Sequence, residues 1–245
     1  MAISLARTAS ELGTTILNYV EVKQLIKENE LISGVEVVDR ESNKKFTVKA
    51  KVVINATGVF SDQIMKMDQP DVKPMIRPSQ GIHLVLEKEF LDVPHAIMIP
   101  HTSDGRVLFA VPWHNHVVLG TTDTPIDETL EEPKPIEEEI DFILANAGQY
   151  MTKKPKRKDV KSVFAGLRPL AANQESDSET KEISRHHKIN VSTSGLISIL
   201  GGKWTTYRKM AEDAINTASV VAGLKEVKCS THKLKLLGFK EKTLP

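Results

Sequence analysis

Only one cysteine, Cys229, stands in the 245 residues. This excludes an intrachain disulfide framework and any multi-cysteine zinc site, and it suits a reducing compartment, so a cytoplasmic location is expected. An excess of charge is lacking too: 33 Lys+Arg against 32 Asp+Glu leave a formal net charge of +1. No broad field therefore attracts nucleic acid. No run approaches the roughly 18 apolar residues of a spanning helix, and the longest apolar stretches, VVINA and ISILG, have the length of strands. MAISLARTASELG is too briefly apolar for a signal peptide. What remains, 40% hydrophobic and 27% charged, is an ordinary globular composition. It is long enough for a sizeable core in one large domain or two small ones.

Ile3, Ala6, Ala9 and Leu12 fall on one helical face, and Gly13 stands where a helix stops. TTILNYVEV, LISGVEVVDR and KFTVKAKVVINAT then predict a small antiparallel meander, the last two strands joined by the polar turn ESNKK. Its final stretch, VVINA, is apolar enough to be buried on both faces of an open α/β sheet, and it ends at Thr57-Gly58, where a ligand often lies. SDQIMKM fits a short helix. Pro70, Pro74 and Pro78 then break regularity and mark a domain crossing.

From Gly81, the segments GIHLVLE, HAIMIPHT, RVLFAVPW and VVLGTTD predict an antiparallel sheet, with turns at Ser103-Asp104-Gly105 and His114-Asn115. EEPKPIEEEIDFILANAGQYM reads as a helix with Pro135 in its first turn, three Glu at its positive end and a stripe of Ile136, Ile140, Ile143, Leu144 and Ala147. VKSVFAGLRPL is strand-like and ANQESDSETKE is loop by composition. HHKINVST and LISILG form a strand pair turning at Ser194-Gly195. Gly201-Gly202 then leads into a helix capped by Thr205 or Thr206 and stopped at Gly223.

Several short constellations could carry chemistry. Gly201-Gly202-Lys203-Trp204-Thr205-Thr206 lies at a strand-to-helix junction, where free N–H groups favour an anion or an electron-rich ring edge; a plain capped turn would look the same. Arg168 ends a strand and Arg185 follows a polar loop, so the two guanidinium groups could clamp a phosphate, although each alone could equally be a structural ion-pair residue. His83 could be a general base or a satisfied core histidine. His101, His114 and His116 lack further ligands at metal-site spacing, as does His186-His187, so no metal is expected. Lys153-Lys154-Pro155-Lys156-Arg157-Lys158 follows a helix end and lacks interleaved aromatics, which favours a solvated loop over a nucleic-acid patch. Neither Ser79 nor Cys229 sits in a nucleophile context.

Taken together and in order, VVINATGVFSD, IRPSQGIHLVL, LFAVPWHNHVVLGTTDTP, FAGLRPLAANQESDSETKEISR and ISILGGKWTTYRKMAEDAI resemble the FAD-dependent, aerobic-type glycerol-3-phosphate dehydrogenase family across roughly residues 1–225. The resemblance implies a mixed α+β and α/β, D-amino-acid-oxidase-like fold. Residues 1–75 would be the later portion of a glutathione-reductase-type FAD domain, comprising helix, meander and ATG strand. Residues 76–200 would be a substrate domain on a mixed antiparallel sheet, with a helix over 135–151. Residues 201–225 would be a helix closing the FAD domain, and 226–245 the start of a C-terminal domain.

The implied reaction is oxidation of sn-glycerol 3-phosphate to dihydroxyacetone phosphate, with hydride passing to FAD and electrons onward to a quinone, or to O2 in related oxidases. Arg168 and Arg185 resemble the phosphate-holding arginines and His83 the candidate proton acceptor. Lys203 and Thr206 resemble residues lining flavin and substrate, beside Gly201, Gly202 and Thr205 of the same turn. Ala56, Thr57 and Gly58 resemble the ATG turn against the dinucleotide. The expected catalytic set is thus His83, Lys203 and Arg168. A homodimer and peripheral contact with the inner face of the cell membrane stay open.

No G-x-G-x-x-G follows a first strand, and no acidic residue ends a second strand some twenty positions later. The ADP-binding half of FAD recognition is therefore missing from the chain, and the expectation is an inactive internal segment. Two rivals to the dehydrogenase reading remain. One is another D-amino-acid-oxidase-like flavoprotein acting on an amine or hydroxyacid, and the other is a stand-alone phosphoanion-binding module. A phosphate dianion needs more than one cation, so the Arg168 and Arg185 pair favours phosphate.

Overall fold

The computed structural model describes residues 1–172 and 186–240. Helix α1 (Ala2–Glu11) ends just before Gly13, whose φ of +92° is the left-handed conformation that glycine reaches without strain. Strands β1 (Val20–Glu28), β2 (Leu31–Asp39) and β3 (Lys45–Lys49) form the expected antiparallel meander. The chain then departs from the sequence reading. KFTVKAKVVINAT is not one strand: β3 ends at Lys49, and β4 (Ile54–Asn55) belongs to a different sheet. A 3-10 turn at Gly58–Phe60 leads into α2 (Ser61–Asp68).

The largest sheet contains β5 (Ile76–Glu87), β6 (Ile97–Ile99), β7 (Leu108–Trp113), β8 (His116–Gly120), β9 (Thr124–Pro125) and β10 (Ser162–Ala171). Its order is β10-β5-β8-β7-β6, with β9 also on β5, and every pairing is antiparallel. Alternation along these strands sends Ile82, Leu84, Leu86, Leu108, Val117 and Leu119 to one face, where all are fully buried. Helix α3 (Glu137–Ala147) closes over them with Ile140, Ile143, Leu144 and Ala147. Burying each such aliphatic side chain contributes about 1.5–3 kcal/mol. Pro135 lies outside this helix rather than in its first turn, because the Glu139 carboxylate folds back to accept the Ile136 N–H at 3.4 Å and starts the helix there.

The third sheet runs β11 (His187–Val191), β12 (Ile197–Gly201) and β4, with β12 and β4 parallel. Helix α4 (Tyr207–Val221) packs beside it. Leu196 and Leu200 of this region share a second core with Leu25, Ile32, Met65 and Ile76. Ile76 opens β5, so the long strand of the large sheet reaches into the second core. Among the described residues, no helix is long and apolar enough to cross a membrane.

Candidate active site

The uncovered face of the large sheet holds the groups that sequence reasoning singled out. Register pairs Arg168 with Ser79, Gly166 with Gly81 and Phe164 with His83, while His83 also pairs with Gly120. Period-2 alternation therefore puts Arg168, Gly166, Phe164, Gly81 and His83 on one side.

The Arg168 guanidinium lies flat over Gly81, where a Cβ would stand 2.2 Å from its Nη2. Only glycine leaves that space. Nη2 donates to Thr121 Oγ1 at 2.9 Å and Nη1 to the Gln80 carbonyl at 3.2 Å. Nη1 also pairs with Asp123 Oδ1 at 3.5 Å. His83 is seated in the same way: a Cβ on Gly120 would come within 2.6 Å of its Cδ2. Its other side stacks on Phe164, with ring centroids 5.0 Å apart and planes 10° from parallel. Burial, and secondarily the positive charge of Arg168, push the His83 pKa below its ordinary 6.5. The imidazole is thus neutral at pH 7 and can accept a proton.

Between these two groups Gly166 has nothing within 4 Å of where a Cβ would be. The face therefore carries a cation, a bare stretch of backbone and a neutral base. A concavity of about 760 Å³ opens over the His83 end of this face, lined by His83, Gly120, Phe109, Val111, Trp113 and Phe164, and it stops short of Arg168 and Gly166.

The cofactor candidates gather elsewhere, and the parallel pair explains how. Ile197 pairs with Ile54 and Ser198 with Asn55, so the turns that follow β4 and β12 leave from the same sheet end. In open α/β sheets, that carboxyl end is where ligands bind. Ala56, Thr57 and Gly58 follow β4, while Gly201 ends β12 and Gly202 and Lys203 follow it. Asn55 anchors the first turn: its Oδ1 accepts from the Thr57 hydroxyl at 2.7 Å and its Nδ2 donates to Ser198 Oγ at 3.1 Å. Gly201 and Gly202 have φ of +70° and +90°, and a Cβ on Gly202 would meet Met210 Sδ at 2.6 Å. The 3-10 turn Gly58–Phe60 touches both β5 and β10, which joins this end to the strand that carries Arg168.

Thr205 and Thr206 do not cap α4 through their side chains. They lie in a 3-10 turn, Trp204–Thr206, and the Thr206 hydroxyl instead donates to the Lys203 carbonyl at 3.0 Å. Ala56, Thr57, Lys203, Thr205 and Thr206 are exposed. Exposed turn backbone, the open Gly58 and one ammonium form a donor set that fits a flavin nucleotide, while the space beside Gly201 and Gly202 is filled by Ala171 and Met210. Arg185 lies outside the described residues.

Sequence reasoning missed Gly81 and Gly120 as seats for Arg168 and His83, and Phe164, Thr121 and Asp123 as their partners. A signal existed for the glycines. A glycine inside a strand, as in GIHLVLE and VVLGTTD, marks close approach by another group.

Residues 1–208 match the family model described as FAD dependent oxidoreductase (DAO), and the chain belongs to that family. Its fold is therefore D-amino-acid-oxidase-like and its cofactor class is FAD. Within the family it is similar to glycerol-3-phosphate dehydrogenases. The mitochondrial enzyme of Bos taurus is 42% identical over 98% of this chain and 34% of its own length. A mitochondrial relative from Arabidopsis thaliana is 43% identical over 96% of this chain and 38% of its own length. The crystal structure of glycerol-3-phosphate dehydrogenase from Bacillus halodurans complexed with FAD superposes with a TM-score of 0.84 at 33% identity, covering 96% of this chain and 45% of that one. The chain thus spans about a third of the length of the curated relatives it matches.

Proposed function

We propose that this chain is a segment of an enzyme that oxidises sn-glycerol 3-phosphate to dihydroxyacetone phosphate, with FAD as hydride acceptor and a quinone as the onward electron acceptor, and that the segment by itself is inactive. One observation carries the reading: Arg168 over Gly81 and neutral His83 over Gly120 flank bare Gly166 on one sheet face. Arg168 holds the phosphate by charge-assisted hydrogen bonds, and Arg185 supplies the second cation that a dianion needs. A His83 ring nitrogen takes the hydroxyl proton of the secondary alcohol as its carbon gives up hydride and becomes a ketone. FAD, when bound, supplies the two-electron acceptor. Lys203, with the N–H groups entering α4, presents positive charge to the electron-rich edge of the ring. Ala56, Thr57, Gly58, Thr205 and Thr206 let the cofactor lie against backbone.

In this reading residues 1–75 and 201–225 serve the cofactor, the large sheet serves the substrate and 226–245 begin a further domain. The expected substrate span 76–200 is too long, because β11 and β12 form one sheet with β4 and so belong to the cofactor side. The single cysteine supports a reducing, cytoplasmic compartment, and a quinone acceptor would be met by peripheral contact with the inner face of the membrane.

The test is Arg168→Met in the holoenzyme. KM for glycerol 3-phosphate should rise about ten- to a hundredfold, the range set by a hydrogen bond to a charged group at about 1.5–3 kcal/mol. An unchanged KM would overturn the phosphate assignment.

A further inference from the structure

Asp123 is only 7% exposed, yet its surroundings hold it with unusual completeness. Its carbonyl accepts from Arg106 Nη1 at 2.7 Å. On either side, the Thr122 and Thr124 hydroxyls donate to Glu139 Oε1 at 2.7 and 2.8 Å. Thr122 Oγ1 also accepts the Ile82 N–H at 3.0 Å. Glu139 is itself buried at the start of α3 and takes a further hydrogen bond from Gln80 Nε2 at 2.8 Å.

The segment 122–124 is thus fastened to the core side of the sheet. The Asp123 side chain reaches the other side, where the Ser79 hydroxyl donates to Oδ1 and Arg168 Nη1 lies 3.5 Å away. Adjacent residues of β5 grip the same corner from opposite faces, Gln80 through Glu139 and Ser79 through Asp123.

A fixed anion beside a long, rotatable guanidinium stem has a specific consequence. The Arg168 side chain would otherwise give up its rotamer freedom each time it took up a single pose. A carboxylate so close to a phosphate seat repels the incoming dianion, so attraction of the substrate does not account for it. Orientation does.

We infer that Asp123 is a positioning residue: its carboxylate fixes the Arg168 guanidinium over Gly81 in the pose that meets the substrate's phosphate, an inference that rests on the role of Arg168 proposed above. Asp123 acts through Arg168 and takes no part in proton or hydride transfer.

Asp123→Asn keeps the size of the side chain and an acceptor for Ser79 while removing the charge; Ser79→Ala frees the carboxylate to swing. In the holoenzyme, Asp123→Asn should raise KM for glycerol 3-phosphate about tenfold with kcat within about twofold, and Ser79→Ala should shift KM the same way by less. Calorimetric titration with inorganic phosphate should show the dissociation constant weakened by a similar factor in each variant. Added to Arg168→Met, Asp123→Asn should produce no further loss, because the two side chains act as one unit.

If KM and phosphate affinity stay within twofold in both Asp123→Asn and Ser79→Ala while Arg168→Met is impaired, the inference fails and the function stands. Additive losses, or a fall in kcat at constant KM, also overturn it. If Arg168→Met itself leaves KM unchanged, the functional reading fails first.

Discussion

The two faces of the large sheet come from the same strands and the same alternation, yet they are built to opposite ends. On the core side Ile82, Leu84, Leu86 and Leu119 interlock beneath α3 and are sealed from water. On the other side Phe109, Phe164 and Trp113 are 48%, 49% and 62% exposed, and glycines interrupt the row of side chains. One face maximises packing. The other gives up packing at Gly81, Gly120 and Gly166 so that two polar groups can lie flat and a third space can stay open. The difference teaches where this sheet keeps its stability and where it keeps its chemistry.

Substitutions can set the faces against each other. The largest effect is expected on the core side: Leu84→Ala should cost about 2–5 kcal/mol of unfolding free energy, read from urea denaturation, while the His83 seat on the far side keeps its geometry. On the open side Gly120→Ala should do the reverse. Its methyl would press on the His83 ring and on the Ile82 carbonyl 2.8 Å away, so kcat should fall about a hundredfold, the scale of a roughly 1 Å misplacement, and stability should change less than in Leu84→Ala. Equal stability losses from the two substitutions would erase the distinction.

The smallest effect is on pH dependence, and its sign follows from the charges. His83 must be neutral to accept a proton, and burial pushes its pKa below the ordinary 6.5, so the acid limb of kcat/KM should have its midpoint below 6.5. Arg168→Met removes a positive charge that opposes protonation, so this acid limb should move up toward 6.5. A limb that stays put, or moves down, would show that His83 is not the titrating group.

Retention of cofactor separates the sheet from the turns. The 245-residue chain contains no G-x-G-x-x-G turn, so after incubation with excess FAD and desalting it should show no flavin absorbance. A retained flavin band would mean that the turns after β4 and β12 suffice.

Much of the large sheet was legible because alternation is a local signal: RVLFAVPW and VVLGTTD announce strands, and the Ile140 to Ala147 stripe announces the helix that covers them. The ATG and GGK turns were legible as ligand-facing punctuation. Their meeting was not, since the β4–β12 contact joins two residues of β4 to a partner more than 140 positions away, and no local pattern encodes it. The Thr206 cap failed for a related reason. Its hydroxyl had a competing carbonyl, Lys203, within reach once the chain entered as a 3-10 turn. His83 and Arg168 could be named from the sequence, but the glycines that seat them acquire meaning only when register places Gly120 under one and Gly81 under the other.

Strand β5 gives the molecule a parity. Along its twelve residues the odd positions Ser79, Gly81 and His83 serve the substrate face, while the even positions Ile82, Leu84 and Leu86 serve the core. Inserting one residue after Ile76 would exchange the two sets, sending an imidazole into the aliphatic interior and a leucine to the reacting face, while an insertion of two would restore the assignment. The chemistry of this fold can therefore tolerate changes of length in this strand only in even steps.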